Sequence, residues 1–118
     1  MFISVLKSKI HRARVTEADL EYIGSIGIDQ DYMDRVGIMP NEKVLIVNNN
    51  NGERWETYVI AAERGSKAFA VNGAAARLCQ VGDVLVIMAF AMCSPEETPR
   101  PRVLVLDQDN NPRDIEAR

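Results

Sequence analysis

The sequence predicts one small, mainly β domain, a barrel of short strands with short helices attached. Several short runs rich in β-branched and apolar residues are separated by turn signals, which is typical of small barrels. The chain of 118 residues has the length of a single domain and contains no internal repeat or low-complexity linker. Its 47% of hydrophobic residues suffices for a core, and a domain of this size often buries further surface against copies of itself.

The N-terminal segment predicts a strand followed by a helical turn. Residues 2–15 read as the strand, and because side chains alternate along a strand, Lys9 and His11 would share one face. The two side chains form either a functional cationic group or an ordinary solvated strand face. Thr16–Asp19 has the spacing of a capping box, which predicts a helical turn.

The middle of the chain predicts a short helix and a hairpin. Residues 30–36 are predicted to be helical, with Asp29 as N-cap and Gly37 just past the end. The strand Lys43–Val47 then leads into Asn48–Gly52, whose final Asn-Gly pair accepts the positive φ of a tight turn.

The return strand of the hairpin is predicted over Glu53–Ala61, with side chains alternating between two faces. One face carries Arg54, Glu56, Tyr58 and Ile60, and the other carries Trp55, Thr57 and Val59.

The C-terminal part predicts three more strands. Phe69–Val71 is the first, and Asn72 after it is predicted to cap a helix. Val84–Met92 is strongly apolar and is predicted to be a central strand, and Val103–Leu106 is the last. We expect one barrel domain over residues 1–106, and a loose polar tail over 107–118.

Composition excludes several classes of function. A net charge of -3 argues against a nucleic-acid surface. Cys79 and Cys93 lack metal-ligand spacing and His11 is the only histidine, so we expect free thiols in a reducing compartment and no metal. No apolar run reaches the roughly 20 residues of a membrane span. We therefore expect a cytoplasmic protein.

Gly24-Ser25 is the dipeptide with the most specific chemistry. A serine hydroxyl can attack the carbonyl of the residue before it, and a glycine there permits the backbone distortion that this attack requires. Elimination from the resulting ester would convert the serine to a pyruvoyl group, whose carbonyl forms a Schiff base with amines and serves as an electron sink. The alternative is an ordinary turn, and Gly65-Ser66 is a second such pair.

The order and spacing of several segments closely resemble the pyruvoyl-dependent aspartate 1-decarboxylase family. The resemblance covers residues 1 to about 106. It rests on Lys9–Arg12, Tyr22–Ser25, Arg54–Tyr58 and Val71–Ala75, with Ala61–Ser66 and Val81–Asp83 as context.

This resemblance implies a double-psi β-barrel with short helices, assembled as a homotetramer. It implies a proenzyme that cleaves itself between Gly24 and Ser25 and carries a covalent pyruvoyl group derived from Ser25. The implied reaction converts L-aspartate to β-alanine and CO₂ for pantothenate biosynthesis. A helper protein for maturation, which some members need, is a further partner to consider.

The resemblance also implies roles for individual residues. Tyr58 would be the proton donor, which suits a phenol because it is protonated at neutral pH. Thr57 would act in cleavage and contact the substrate, although a regular strand turns it away from Tyr58. A β-bulge or a contact from a neighbouring subunit would reconcile the two.

The remaining implied residues bind substrate. Arg54 offers a planar fork suited to a carboxylate, and Lys9 and His11 would supply a second positive or polar group. Backbone N–H groups and small side chains would leave room for an anion at Asn72, Gly73, Ala74 and Ala75. Without the resemblance, Arg54 could equally be a charge at the edge of the hairpin. The plainer alternatives are a hydrogen-bonded structural residue for His11 and an ordinary capped helix for residues 72–75.

Two positions depart from the family pattern. Ile23 stands where members often have glutamate, and Ile26 where cysteine is common. The charge that members carry at position 23 forms no bond in the chemistry, so we expect cleavage to survive. Two rival interpretations remain: a barrel without catalytic activity, such as a dimeric DNA-binding module, and a paralogue that keeps the fold but does not mature.

Overall fold

The computed structural model describes residues 1–113 as an eight-stranded sheet in the order β2-β6-β3-β5-β4-β7-β1-β8. The strands are β1 (Ile3–Arg14), β2 (Glu17–Asp19), β3 (Ser25–Asp29), β4 (Lys43–Asn48), β5 (Arg54–Ala62), β6 (Phe69–Asn72), β7 (Val84–Cys93) and β8 (Arg102–Val105). The helices are α1 (Gln30–Val36) and two 3₁₀ helices, Gly73–Leu78 and Pro95–Glu97.

The sheet curves around a single hydrophobic core. Buried side chains from seven of the eight strands meet in one cluster, and Ala18 of β2 packs against it. Strand pairs β1/β8, β2/β6 and β3/β5 are parallel and the others are antiparallel. The prediction of a mainly β fold is confirmed, and the arrangement is consistent with a barrel; the double-psi crossing stays a prediction. Among residues 1–113, no helix is long and apolar enough to span a membrane.

Helix α1 begins and ends as its capping residues predict. The Asp29 side chain accepts a hydrogen bond of 2.8 Å from the Asp31 N–H. Gly37 adopts φ +78°, and its N–H donates to the Met33 carbonyl. Asp29 also accepts from the N–H of Lys67 at 2.8 Å, so one carboxylate joins the end of β3 to the loop before β6.

The hairpin of β4 and β5 has the predicted alternation. Arg54 and Tyr58 are exposed, whereas Val59 is fully buried. The pairing of β4 with β5 runs without a register shift from Lys43 opposite Tyr58 to Val47 opposite Arg54. Strand β5 is therefore regular across the segment that carries the candidate site residues.

The predicted helical turn at Thr16–Asp19 is wrong. Glu17–Asp19 forms β2, which pairs in parallel with β6. The Thr16 hydroxyl accepts a 2.9 Å hydrogen bond from the Phe69 N–H, and the Thr16 N–H donates to the Phe69 carbonyl. The edge of β6 thus supplies partners from a distant part of the chain, and these override the local capping pattern.

The expectation of a loose tail fails for residues 107–113. Asn110 is buried, and its side chain accepts from the Arg14 N–H and donates to the carbonyls of Arg14 and Lys67. The Tyr32 hydroxyl donates to the Asn110 carbonyl. This segment therefore closes over the end of β1, and the rest of the predicted tail, 114–118, lies outside the described residues.

Candidate active site

The Gly24-Ser25 peptide bond lies where the chain passes from an exposed turn into a buried strand. The turn after β2 is held by Asp19, whose carboxylate accepts from the Glu21 N–H at 3.0 Å. Ile23 is 75% exposed, whereas Ser25, two residues later, is 3% exposed. The residues before the bond are therefore open to solvent, whereas the serine after it is enclosed in the sheet.

The Ser25 hydroxyl has a defined partner inside the protein. Asn72 Nδ2 donates a 3.1 Å hydrogen bond to Ser25 Oγ, and both side chains are buried. The two residues face each other in the β3/β6 pair. A helix begins after Asn72 as predicted, but it is a short 3₁₀ helix and the Asn72 side chain makes no capping hydrogen bond to it.

Gly73 approaches the backbone of Gly24 very closely. A Cβ built on Gly73 would lie 2.7 Å from Gly24 Cα and 2.9 Å from Gly24 N. Gly73 also adopts φ +78°, a conformation that other residues rarely adopt. A Cβ on Gly24, in contrast, would have Asn72 O at 4.0 Å as its nearest neighbour. The backbone freedom expected of Gly24 during the attack stays a prediction. The small side chains of residues 72–75 were predicted to leave room for an anion, whereas the contact of Gly73 with the Gly24 backbone was not predicted.

Tyr58 lies in the strand beside Ser25. Strands β3 and β5 are parallel, with Ile26 opposite Val59, which brings Tyr58 to the level of Ser25. Ile26 and Val59 both point into the core, so Ser25 and Tyr58 lie on the opposite face of the sheet, where Ser25 is buried and Tyr58 is exposed. The structure thus brings together two residues predicted to act in the chemistry.

Thr57 lies on the other face of β5 from Tyr58 and is partly buried. The register of β5 is continuous on both sides, with β4 and with β3. A β-bulge therefore does not explain how Thr57 could reach the site, which leaves a contact from a neighbouring subunit.

The cationic side chains do not gather at Ser25 within one chain. Arg54 shares the face of Tyr58 but precedes it by four residues, or about 13 Å along a strand. His11 pairs with Val86, Val86 with Val47 and Val47 with Arg54. Three strand spacings of about 4.8 Å therefore separate β1, with Lys9 and His11, from β5.

The environment of His11 favours its neutral form. Burial, the Lys9 ammonium and the Arg12 guanidinium all lower the pKa of His11 below 6.5. Its Nδ1 is buried without a hydrogen-bond partner among residues 1–113. Arg12 adopts φ +68° where the β1/β7 register shifts, so a local irregularity sets the position of this segment. The arrangement leaves an imidazole nitrogen that is able to take part in a further polar contact.

The family model and the curated relatives that match this chain all have the same description. The family model described as aspartate decarboxylase matches residues 1–113. Similar curated relatives include the aspartate 1-decarboxylase of Bacillus licheniformis, 58% identical over 93% of this chain and 88% of that protein. That of Neisseria meningitidis serogroup C is 56% identical over 98% of this chain and 92% of that protein. That of Staphylococcus aureus strain JH9 is 56% identical over 93% of this chain and 88% of that protein.

Proposed function

The chain belongs to the aspartate decarboxylase family, and from that membership we propose that it converts L-aspartate to β-alanine and CO₂ for pantothenate biosynthesis. The observation that carries the proposal is the Ser25 hydroxyl. It follows directly on Gly24, is buried, and accepts a hydrogen bond from Asn72. A serine that served only as a turn residue would be exposed and would need no such partner.

The cofactor we propose is a pyruvoyl group formed from Ser25, and the residues present fit its formation. Ser25 Oγ bonds to the Gly24 carbonyl carbon, the C–N bond breaks, and the hydroxyl proton passes to the freed amine. Loss of the Ser25 Cα proton then breaks the Cβ–O bond and releases Gly24 as a carboxylate. Hydrolysis with loss of ammonia leaves the ketone on residue 25. The close packing of Gly73 on Gly24 and the Asn72 hydrogen bond support a preorganised bond.

The pyruvoyl group supplies a carbonyl that condenses with the substrate amine and accepts the electrons left when CO₂ departs. The chain's own residues orient the substrate and protonate its α-carbon after CO₂ has left. Arg54 can hold one substrate carboxylate with two parallel hydrogen bonds. Tyr58, at the level of Ser25, holds the proton that the α-carbon receives. The stretch 72–75, next to Gly24, contributes further substrate contacts.

A homotetramer would complete this site. Lys9 and His11 are three strands from Arg54, and Thr57 faces away from Tyr58 on a regular strand. Within one chain these side chains cannot all reach residue 25, and Arg54 lies about 13 Å from Tyr58 along β5, whereas a second copy could bring its own Arg54 or its own β1. Exposed apolar side chains support association, notably Phe2, Phe90 and Met92.

Two further parts of the proposal concern the setting of the enzyme. Cys79 and Cys93 are both free thiols, which supports a cytoplasmic location. A maturation helper protein stays a prediction.

Mass spectrometry of the denatured protein tests the proposal. We expect fragments 1–24 and 25–118, the larger resistant to Edman degradation because a pyruvoyl group has no amine. The processed protein should release CO₂ and β-alanine from L-aspartate. Ser25→Ala should abolish both cleavage and turnover, and Ser66→Ala, at the second Gly-Ser pair, should leave both unchanged. A chain that stays intact after prolonged warm incubation would favour the non-maturing paralogue instead.

A further inference from the structure

We propose that Gly73 is a positioning residue for self-cleavage, and that the absence of its side chain sets the placement of the Gly24 carbonyl for attack by Ser25. This inference rests on the proposed function, since it concerns the formation of the pyruvoyl group. It gives Gly73 a part in maturation that is separate from any contact with substrate.

The proposal starts from a backbone-to-backbone contact. The Cα atoms of Gly73 and Gly24 lie so close that a Cβ on Gly73 would be 2.7 Å from Gly24 Cα, 2.9 Å from its nitrogen and 3.3 Å from Tyr22 O. Ordinary van der Waals contact begins at 3.4 Å, so a Cβ would require a shift of about 0.7 Å. No flexible side-chain end is available to give way, because all three atoms belong to the backbone.

The other glycines show that this contact is specific. Gly52, Gly65 and Gly82 also have positive φ, but a Cβ on any of them would meet nothing within 4 Å. A Cβ on Gly37 would meet the end of the Arg102 side chain, which can move. Gly73 alone combines positive φ with a backbone neighbour closer than 3.0 Å.

The displacement caused by a Cβ on residue 73 would move Gly24 rather than Ser25. Ser25 is buried, paired with Asn72 across β3 and β6, and hydrogen-bonded through its Oγ. Gly24 is exposed and adjoins the turn of Tyr22 and Ile23. A Cβ at position 73 would therefore move the carbonyl that is attacked while the attacking hydroxyl stays in place. Misplacement by roughly 1 Å can slow a reaction by about 100-fold.

The test compares cleavage rates of Gly73→Ala and Gly65→Ala with wild type by mass spectrometry, together with their melting temperatures. Gly65 is the matched control because its φ of +82° imposes the same backbone strain in open space. We expect Gly73→Ala to cleave at least about tenfold more slowly, and Gly65→Ala to cleave within about threefold of wild type. Cleavage slowed equally in both variants would show that strain alone is responsible and would overturn the proposal.

A second pair of variants covers the case in which Gly73→Ala does not fold. Asparagine tolerates positive φ better than alanine while still carrying a Cβ. Gly73→Asn should therefore fold and still cleave slowly, whereas Gly65→Asn should cleave normally. Loss of folding in both Gly73 variants, with both Gly65 variants folded, would overturn a role specific to cleavage.

Hydroxylamine identifies the step that is affected. It reacts with an ester and leaves a hydroxamate on Gly24 and a free amine on Ser25. We expect Gly73→Ala to stay slow in hydroxylamine, because the attack that forms the ester is slow. Release of the hydroxamate at the wild-type rate would overturn the proposal. Failure of the wild type itself to cleave would instead count against the proposed function.

Discussion

Asn72 Nδ2 donates a 3.1 Å hydrogen bond to Ser25 Oγ, joining the start of β3 to the end of β6 at the bond we propose is cleaved. Because the amide occupies one lone pair of the oxygen, the rotation of the hydroxyl is restricted. The hydrogen bond thus orients a side chain that would otherwise sample several rotamers in a buried site.

Removal of this hydrogen bond should slow self-cleavage. Asn72→Ala deletes the donor, and losing such a bond costs about 1 kcal/mol, or roughly five- to tenfold in rate. The time course of fragment 25–118, followed by mass spectrometry, measures the effect. Asn49→Ala, at an exposed asparagine in the hairpin, is the matched control. Identical rates for the two variants would contradict a role of the Asn72 amide.

Substitutions at Tyr58 and at Thr57 should affect different steps, turnover in the first case and maturation in the second. Tyr58→Phe should mature normally and lose about 100-fold or more in kcat, because only the later proton transfer needs the phenol. Thr57→Val should instead slow cleavage, whereas Thr98→Val, at an exposed threonine, should not. Mass spectrometry and a CO₂-release assay on the same samples distinguish the two effects. Wild-type turnover by matured Tyr58→Phe would rule out this proton donor.

Arg54 should be the main anchor of the substrate. Arg54→Lys keeps the positive charge but loses one of two parallel hydrogen bonds, worth roughly 1.5–3 kcal/mol, or about 10- to 150-fold in kcat/KM. Cleavage should be unaffected, because it involves no substrate. Steady-state kinetics of the matured variant test this, with Arg100→Lys as control. Near-normal kcat/KM would shift the role to Lys9.

The pKa of His11 should lie below its ordinary value of 6.5. Burial first, and then the charges of Lys9 and Arg12, lower its pKa from 6.5. Because His11 is the only histidine, one NMR imidazole signal reports its midpoint. Lys9→Gln should raise that midpoint, and Lys67→Gln should not. A midpoint at or above 6.5 in the wild type would contradict the prediction.

The lowered pKa of His11 also makes the stability of the fold depend on pH. A lowered pKa in the folded state means that the unfolded chain binds the proton more readily. This contribution to stability is therefore complete above pH 6.5 and is lost as the pH falls through the lowered folded pKa. Urea unfolding at several pH values should show a shallower acid-side slope for His11→Gln than for wild type.

The closing segment should contribute to stability through Tyr32. Tyr32→Phe removes the hydroxyl that donates to the buried Asn110 carbonyl, and an unsatisfied buried acceptor costs about 1–3 kcal/mol. Urea denaturation should show this loss in the free energy of unfolding, while Tyr22→Phe, at an exposed tyrosine, should show little change. Equal stabilities would mean that water replaces the lost hydrogen bond.

Local signals were sufficient for much of the fold. Asp29 and Gly37 bound α1 as predicted, and the hairpin after β4 has its predicted faces. In each case the hydrogen bonds or the alternation involve residues close in the chain, so the sequence contains the whole interaction. The self-cleavage that we propose at Gly24-Ser25 likewise follows from the sequence alone, because the attacking and attacked atoms belong to neighbouring residues.

The tertiary structure decided what depends on distant partners. Thr16–Asp19 had a capping pattern, but the edge of β6 supplied stronger partners and made it a strand. Asn72 was expected to cap a helix, yet its amide binds Ser25, 47 residues earlier. The need for a residue without a side chain at Gly73 was not predictable from the sequence, because only the folded sheets bring the Gly73 and Gly24 backbones together. Such contacts between strands remote in sequence leave no periodic or local pattern from which they could be predicted.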